Sequence, residues 1–141
     1  GTSNHKVDPK IKSEIVDYYK GLADVSNTMY KNYKISEEML KMMIDSEADI
    51  TLLSIRQRSA FAKGHIPGAI NIPWGKGMQE YFGQLPKDKK LVVYCYTGQT
   101  AGQTVAGLRM LGYDAVSLNG GMGMAANNPH GWKNNGFEVV K

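Results

Sequence analysis

The sequence predicts an α/β fold in which helices cover both faces of a parallel sheet. Short apolar runs rich in β-branched residues, typical of strands that are buried on both faces, recur along the chain as "ITLLSIR", "AINIPWG" and "KKLVVYC". Segments with helical spacing of apolar residues separate these runs. Because parallel strands need long crossover connections that are usually helical, the alternation predicts a parallel sheet. The 141 residues, 42% of them hydrophobic, suffice for one domain with its own core.

Two helices are predicted ahead of the first strand. In "IKSEIVDYYKGL" the apolar residues stand at helical spacing, and Gly21 is the expected end of the helix. The polar segment "VSNTMYKNY" connects it to the next helix, "SEEMLKMMIDSEAD", which Ser36 is expected to cap. The residues expected to face inward are Ile11, Ile15, Tyr18, Tyr19 and Leu22 in the first helix and Met39, Leu40, Met43 and Ile44 in the second.

The rest of the chain alternates strands with short helices. The first strand run is expected to meet solvent at its end, Ser54 to Arg56. Gly64 stops a helical turn in "SAFAKG", Pro73 ends the strand in "AINIPWG", and "GMQEYFGQL" is predicted to be a helix. After "KKLVVYC", the segment "AGQTVAGLRML" is predicted to be a helix ended by Gly112, with four residues on its apolar face: Ala101, Val105, Leu108 and Leu111.

Composition and charge argue against several classes of function. The formal net charge of +4 is spread without a basic block, so nucleic-acid binding is not predicted. One cysteine and three scattered histidines predict neither a disulfide framework nor a metal site. We recognise no signal peptide and no apolar run of membrane-spanning length, so a cytoplasmic and an extracytoplasmic location both stay open.

Cys95 is the residue whose position indicates chemistry. It ends the predicted central strand, and the loop "YTGQT" leads from it into a helix. Ligands of such sheets bind beyond the carboxyl ends of the strands. There the backbone N–H groups of a tight loop and a helix N-terminus would converge on the sulfur and favour its thiolate. A buried, inert thiol is equally compatible with this position, since free cysteines are often buried.

Several linked segments of the chain resemble the rhodanese (sulfurtransferase) family. They are "ISEEMLKMM", "LLSIRQRSAFAKGHIPGAINIP", the cysteine loop "CYTGQTA" with the helix and "LGY" after it, and "VSLNGGM". The resemblance implies a rhodanese-like domain over residues 33–141, with a central parallel sheet of about five strands, preceded by a helical extension over residues 1–32. It also implies that Cys95 takes a sulfane sulfur from thiosulfate or a persulfide donor, without a cofactor. Cys95 then passes this sulfur, carried as a persulfide, to cyanide, a thiol or a sulfur-accepting protein.

The resemblance assigns roles to individual residues. Cys95 matches the sulfur-accepting nucleophile. Arg56 matches the arginine at the end of the family's first strand segment, so we expect Arg56 to bind substrate. "GHIP", at Gly64 to Pro67, matches a structural signature, so His65 is interpreted as a scaffold residue. The residues that match the cradle of the transferred sulfur are Tyr96, Thr97, Gly98, Gln99, Thr100 and, at the start of the helix, Ala101.

The chain departs from the family pattern at three positions. Thr100 stands where many rhodaneses have an arginine, which predicts weak thiosulfate affinity. Ser54 replaces the usual aspartate before Arg56, and Ala60 replaces a frequent acidic residue. A catalytically silent binding or sulfide-sensing module is therefore an alternative. A related cysteine phosphatase is disfavoured because the loop is short and lacks the arginine that would hold phosphoryl oxygens. The glycines of "GGMGM" are interpreted as a turn rather than a phosphate loop.

Overall fold

A single five-stranded parallel sheet organises the chain, which the computed structural model describes for residues 8–141. The strands lie in the order β1-β5-β4-β2-β3, and every neighbouring pair is parallel. This confirms the predicted α/β fold with a central parallel sheet of about five strands. The strands are β1 (Lys34–Ile35), β2 (Ile50–Ser54), β3 (Ile70–Asn71), β4 (Lys90–Tyr94) and β5 (Asp114–Leu118).

The middle of the sheet carries the most buried strand. In β4, the run from Leu91 to Tyr94 is fully shielded from solvent, and β5 is buried from Ala115 to Leu118. An uninterrupted apolar run is what a parallel strand needs when helices cover both of its faces. Cys95 follows directly on β4, so the deepest element of the core delivers it to the carboxyl edge of the sheet.

Within residues 8–141, four α-helices accompany the sheet. Ser36 caps the second as predicted, because its hydroxyl accepts a hydrogen bond from the backbone N–H of Met39 at 3.1 Å. Asp8 caps the first in the same way, accepting from the N–H of Lys10 at 2.8 Å. The helices are α1 (Pro9–Asp24), α2 (Glu37–Asp45), α3 (Arg58–Lys63) and α4 (Gln99–Met110). Short 3₁₀ turns span Lys31–Tyr33, Met78–Gln84, Ala125–Asn127 and Lys133–Asn135. No helix within residues 8–141 is both long and apolar enough to cross a bilayer.

The first helix differs from its prediction. Gly21 lies inside α1 and does not end it, and a Cβ at this position would collide with the Tyr33 hydroxyl. That hydroxyl donates a hydrogen bond to the Tyr18 carbonyl at 2.6 Å, so Gly21 permits a close approach between α1 and the segment that leads into β1. Tyr18 and Leu22 pack on the core, whereas Ile11 and Tyr19, also expected to face inward, are 56% and 63% exposed.

Three further expectations are corrected, and one strand was not predicted. Ser54 to Arg56 are buried, because the strand pairing continues past Ser54: the N–H of Ile55 donates to the Tyr94 carbonyl, and that of Trp74 to the Ile55 carbonyl, each at 2.9 Å. Leu111 is 52% exposed because α4 already ends at Met110. "GMQEYFGQL" forms 3₁₀ turns rather than a regular helix. The two-residue β1 follows the predicted connector and was missed.

Candidate active site

The Cys95 sulfur is the focus of the loop between β4 and α4. The backbone N–H of Gly98 donates to Sγ at 3.0 Å, and that of Ala101, in the first turn of α4, donates at 3.4 Å. Only 2% of Cys95 is exposed. Two amide dipoles directed at one sulfur stabilise negative charge on it, whether as thiolate or as persulfide. The structure therefore brings together Cys95, Gly98 and Ala101, three of the residues that the sequence predicts for the site.

The backbone conformation of Gly98 makes this geometry accessible. Its φ of +103° lies in the left-handed region that residues with a Cβ rarely adopt. A Cβ there would also stand 3.4 Å from the Gly120 nitrogen and 3.5 Å from the Leu118 carbonyl oxygen. The loop thus turns sharply against the end of β5 and presents its N–H to the sulfur.

The turn after β5, residues 120–123, forms backbone hydrogen bonds to the cysteine loop and is called the glycine turn below. The N–H of Met122 donates to the Cys95 carbonyl at 2.8 Å, and that of Gly123 donates to the Tyr96 carbonyl at 2.9 Å. A Cβ on Gly121 would stand 2.6 Å from the Cys95 carbonyl oxygen and 2.9 Å from the Thr97 nitrogen. The sequence predicts a turn for this segment but not its contact with the site. The sequence feature that could have indicated this contact is the run of glycines after β5, because β5 neighbours β4 in the sheet.

The C-terminal segment, residues 125–141, forms backbone hydrogen bonds that hold the glycine turn in position. The N–H of Trp132 donates to the Gly121 carbonyl at 2.9 Å, and that of Lys133 donates to the Met122 carbonyl at 2.8 Å. Glu37, a buried carboxylate at the start of α2, accepts from the N–H of Gly131 at 3.1 Å. A continuous set of hydrogen bonds therefore runs from α2 through the C-terminal segment to the cysteine loop.

Arg56 contacts backbone carbonyls around the end of α3. Its guanidinium donates to the Gly64 carbonyl at 2.7 Å and to the Ala60 carbonyl at 3.3 Å. No carboxylate within residues 8–141 pairs with it, and its Nε is buried there without a hydrogen-bond partner. The guanidinium carbon lies 5.4 Å from the centroid of the Tyr96 ring. These contacts link α3 to the cysteine loop, and the expected substrate-binding role of Arg56 stays a prediction.

Tyr94 connects the site to the "GHIP" segment. Its buried hydroxyl accepts a hydrogen bond from the N–H of Ile66 at 3.1 Å. Burial raises the pKa of Tyr94 above its usual value of 10.0, although its contacts with Ile66, Ser54 and Arg56 lower it in part. The phenol is therefore neutral at physiological pH. Nearby, the ring of His65 stacks on Phe61 and its Nδ1 lies 2.9 Å from the Phe61 carbonyl oxygen, contacts typical of a scaffold residue.

The other predicted site residues lie in the loop and in the first turn of α4, because the helix begins at Gln99, two residues earlier than predicted. The Tyr96 hydroxyl accepts from the N–H of Gln57 at 3.2 Å, and 37% of Tyr96 is exposed. Gln99 is exposed, and Thr97 and Thr100 are half-buried. The Thr100 carbonyl accepts from the Thr104 hydroxyl at 2.9 Å. Within residues 8–141, no three or more His, Cys, Asp or Glu side chains lie together as a metal site would require.

Comparison with known proteins identifies the family. The sequence model of the rhodanese-like domain matches residues 36–124. The probable adenylyltransferase/sulfurtransferase MoeZ of Mycobacterium tuberculosis is 33% identical over 81% of this chain, but the chain spans only 30% of the length of MoeZ. The thiosulfate sulfurtransferase GlpE of Shewanella oneidensis is 33% identical, with 62% of this chain and 85% of GlpE covered.

A solved structure supports the same assignment. The crystal structure of a rhodanese-related protein from Thermoplasma volcanium superposes with a TM-score of 0.64 at 29% identity, covering 76% of this chain and 96% of that one. The chain belongs to the rhodanese-like domain family.

Proposed function

We propose that the protein is a sulfurtransferase that carries a sulfane sulfur as a persulfide on Cys95. The observation that carries this proposal is the convergence of the Gly98 and Ala101 N–H groups on Sγ at 3.0 and 3.4 Å. These N–H groups stabilise negative charge on the sulfur, and the thiolate is the form that attacks a sulfane sulfur. The remaining N–H groups at the start of α4 are suited to hold the second sulfur once it is attached.

The reaction has two half-reactions that balance in atoms and charge. In the first, the thiolate of Cys95 attacks the outer sulfur of thiosulfate. A new S–S bond forms, the S–S bond of thiosulfate breaks, and its electron pair leaves with sulfite. In the second, cyanide or an external thiolate attacks the outer sulfur of the persulfide, and the Cys95 thiolate is regenerated. No external oxidant or reductant is needed.

Thiosulfate is the proposed donor, and cyanide, a thiol or a sulfur-accepting protein is the proposed acceptor. The name of the thiosulfate sulfurtransferase among the relatives supports the donor. Thr100 leaves the loop without the cation that many family members have there, so we expect weak affinity for this dianion. The single cysteine supports an external acceptor, because the chain has no second thiol that could attack the persulfide from within.

Formation of thiocyanate from thiosulfate and cyanide tests the proposal. The wild-type protein should turn over, and Cys95→Ser, which replaces the nucleophilic sulfur by oxygen at nearly the same volume, should be inactive while keeping the wild-type circular dichroism spectrum. Undiminished activity in a folded Cys95→Ser protein would refute the proposed role of Cys95. A wild-type protein without turnover would favour the alternative of a silent binding module.

A further inference from the structure

A cavity lies beside the cysteine loop, and the reaction proposed above gives this cavity no role. Residues 97–99, at the end of the loop and the start of α4, form one wall. Residues 117–120 at the carboxyl end of β5 form another, and Lys34 of β1 lines the side of the cavity. Its volume is about 250 Å³. Because one water occupies about 30 Å³ of liquid, this space holds an ion of five heavy atoms together with water. Gly98 lines the cavity and also donates its N–H to the Cys95 sulfur, so the cavity adjoins the cradle.

The cavity and the cysteine belong to the same face of the sheet. Ser117 is the register partner of Lys34 in β1 and of Val93 in β4. Residues directly opposite each other on neighbouring strands project to the same face. Cys95 lies two residues beyond Val93 and therefore continues that face at the end of β4. Lys34, Ser117 and Cys95 thus project to one side of the sheet, around its carboxyl edge.

The lining of the cavity is positively charged. Among residues 8–141, Lys34 is the only charged residue that lines it, and no carboxylate does. Lys34 forms no ion pair with any of residues 8–141, which leaves its ammonium group available to a ligand. The other side chains in the lining include Thr97, Gln99 and Asn119, all of which can donate hydrogen bonds to oxygen.

Ser117 is a second, independent indication of a ligand. It is only 3% exposed, and it lines the cavity. Its hydroxyl lies 3.5 Å from the Tyr33 carbonyl oxygen, longer than an ordinary O–H···O hydrogen bond. A buried hydroxyl with so weak a partner retains the capacity to donate to an oxygen placed in the cavity.

We propose that this cavity is an oxyanion subsite, in which Lys34 and Ser117 hold the sulfonate end of a small donor anion of the thiosulfate class. The identity of the donor rests on the function proposed above. In this arrangement the outer sulfur of the donor faces Cys95, and the three oxygens face Lys34 and the hydrogen-bond donors. The same cation stabilises the sulfite that departs when the S–S bond breaks. Lys34 then supplies, from β1, a positive charge that the loop lacks at Thr100.

Binding is tested without catalysis by titrating the ¹⁵N-labelled protein with inorganic sulfate, a stable stand-in for the sulfonate end. In the wild type, the amide resonances of Gly98, Asn119 and Gly120 should shift as sulfate saturates the site. Lys34→Gln should bind sulfate several-fold more weakly. Lys31→Gln removes the same charge from an exposed lysine nearby and should bind like the wild type. Shifts of equal size and midpoint in the wild type and Lys34→Gln would overturn the proposal.

Kinetics provide the second readout. Lys34→Gln and Ser117→Ala should each raise the KM for thiosulfate about three- to tenfold, the effect of one charge-assisted or hydrogen-bonded contact, with a smaller change in kcat. A KM equal to that of the wild type in both folded variants would exclude the subsite. The two proposals fail separately. Lys34-dependent sulfate binding without any turnover would refute the sulfur transfer alone, and normal turnover without that dependence would refute the subsite alone.

Discussion

Gly121 packs so closely against the carbonyl oxygen of Cys95 that a residue with a side chain would not fit there. A Cβ on Gly121 would stand 2.6 Å from that oxygen. The turn that follows β5 is thereby in backbone contact with the loop that follows β4. Hydrogen bonds from Met122 and Gly123 to the carbonyls of Cys95 and Tyr96 fix the two segments together. The geometry at the sulfur therefore depends on Gly121, which follows Cys95 by 26 residues in the sequence.

Gly121→Ala should therefore displace the cysteine loop. We expect thiocyanate formation to fall at least tenfold, because the Cβ meets backbone atoms that cannot move independently of the loop. Gly136→Ala is the matched control, since Gly136 also has a positive φ, of +76° against +59° for Gly121, but has open space around its Cβ position. Both variants carry the strain of the left-handed conformation, about 1 to 2 kcal/mol. Equal activity in the two variants would show that the contact at Cys95 does not matter.

Thr100→Arg should lower the KM for thiosulfate, with a smaller effect on kcat. The substitution adds a fixed positive charge at position 100, where many rhodaneses have an arginine. Gln103→Arg, three residues further along α4 on an exposed side chain, adds the same charge away from the loop and should leave KM nearly unchanged. If KM is unchanged or raised in folded Thr100→Arg, the side chain at this position does not approach the donor.

Arg56→Met should lower the free energy of unfolding by about 2 to 4 kcal/mol, as measured by urea denaturation. The substitution removes the hydrogen bonds to the carbonyls of Gly64 and Ala60, and the buried Gly64 loses its charged donor. Arg58→Met, on an exposed side chain of α3, is the control and should change the stability by about 0.5 kcal/mol or less. Wild-type stability in Arg56→Met, with a raised KM, would instead favour the substrate-binding role.

Tyr94 should contribute to a loss of stability in alkali. Because burial raises its pKa in the folded protein above 10.0, the unfolded chain releases this proton first as the pH rises. The folded state then binds more protons than the unfolded state, so the free energy of unfolding falls with rising pH above about pH 10. Burial also raises the pKa values of Tyr18 and Tyr30, which makes part of the decline independent of Tyr94.

Tyr94→Phe is the variant that isolates this contribution. Urea unfolding between about pH 8 and about pH 11 should show a shallower decline in Tyr94→Phe than in the wild type. At neutral pH the variant should already be less stable by about 1 to 3 kcal/mol, because the buried N–H of Ile66 loses its acceptor. An identical alkaline slope in the two proteins would contradict the buried, neutral phenol.

The elements that could be predicted are those whose signal is local. The apolar run of β4, the periodicity of α4 and the Ser36 cap each depend on neighbouring residues in the sequence, and all three are present. The position of Cys95 between β4 and α4 followed from them.

The elements that were missed depend on distant partners. The two residues of β1 form a strand only because Ser117 and Leu118 pair with them. The end of β2 is buried because β4 and the segment after β3 continue the pairing there. The contact of Gly121 with Cys95 likewise joins two loops that no sequence spacing connects. The carbonyl contacts of Arg56 replace carboxylate partners that Ser54 and Ala60 cannot supply, and their geometry required the fold.

The most direct test of the central claim is the intact mass of the protein before and after thiosulfate, and again after cyanide. With no second cysteine to form an internal disulfide, a persulfide on Cys95 should persist until an external acceptor removes it. We predict a gain of one sulfur atom, located in the peptide that contains Cys95, and its loss on addition of cyanide. Cys95→Ser should gain none. A wild-type mass that thiosulfate never changes, or an added sulfur that cyanide does not remove, would contradict sulfur transfer through Cys95.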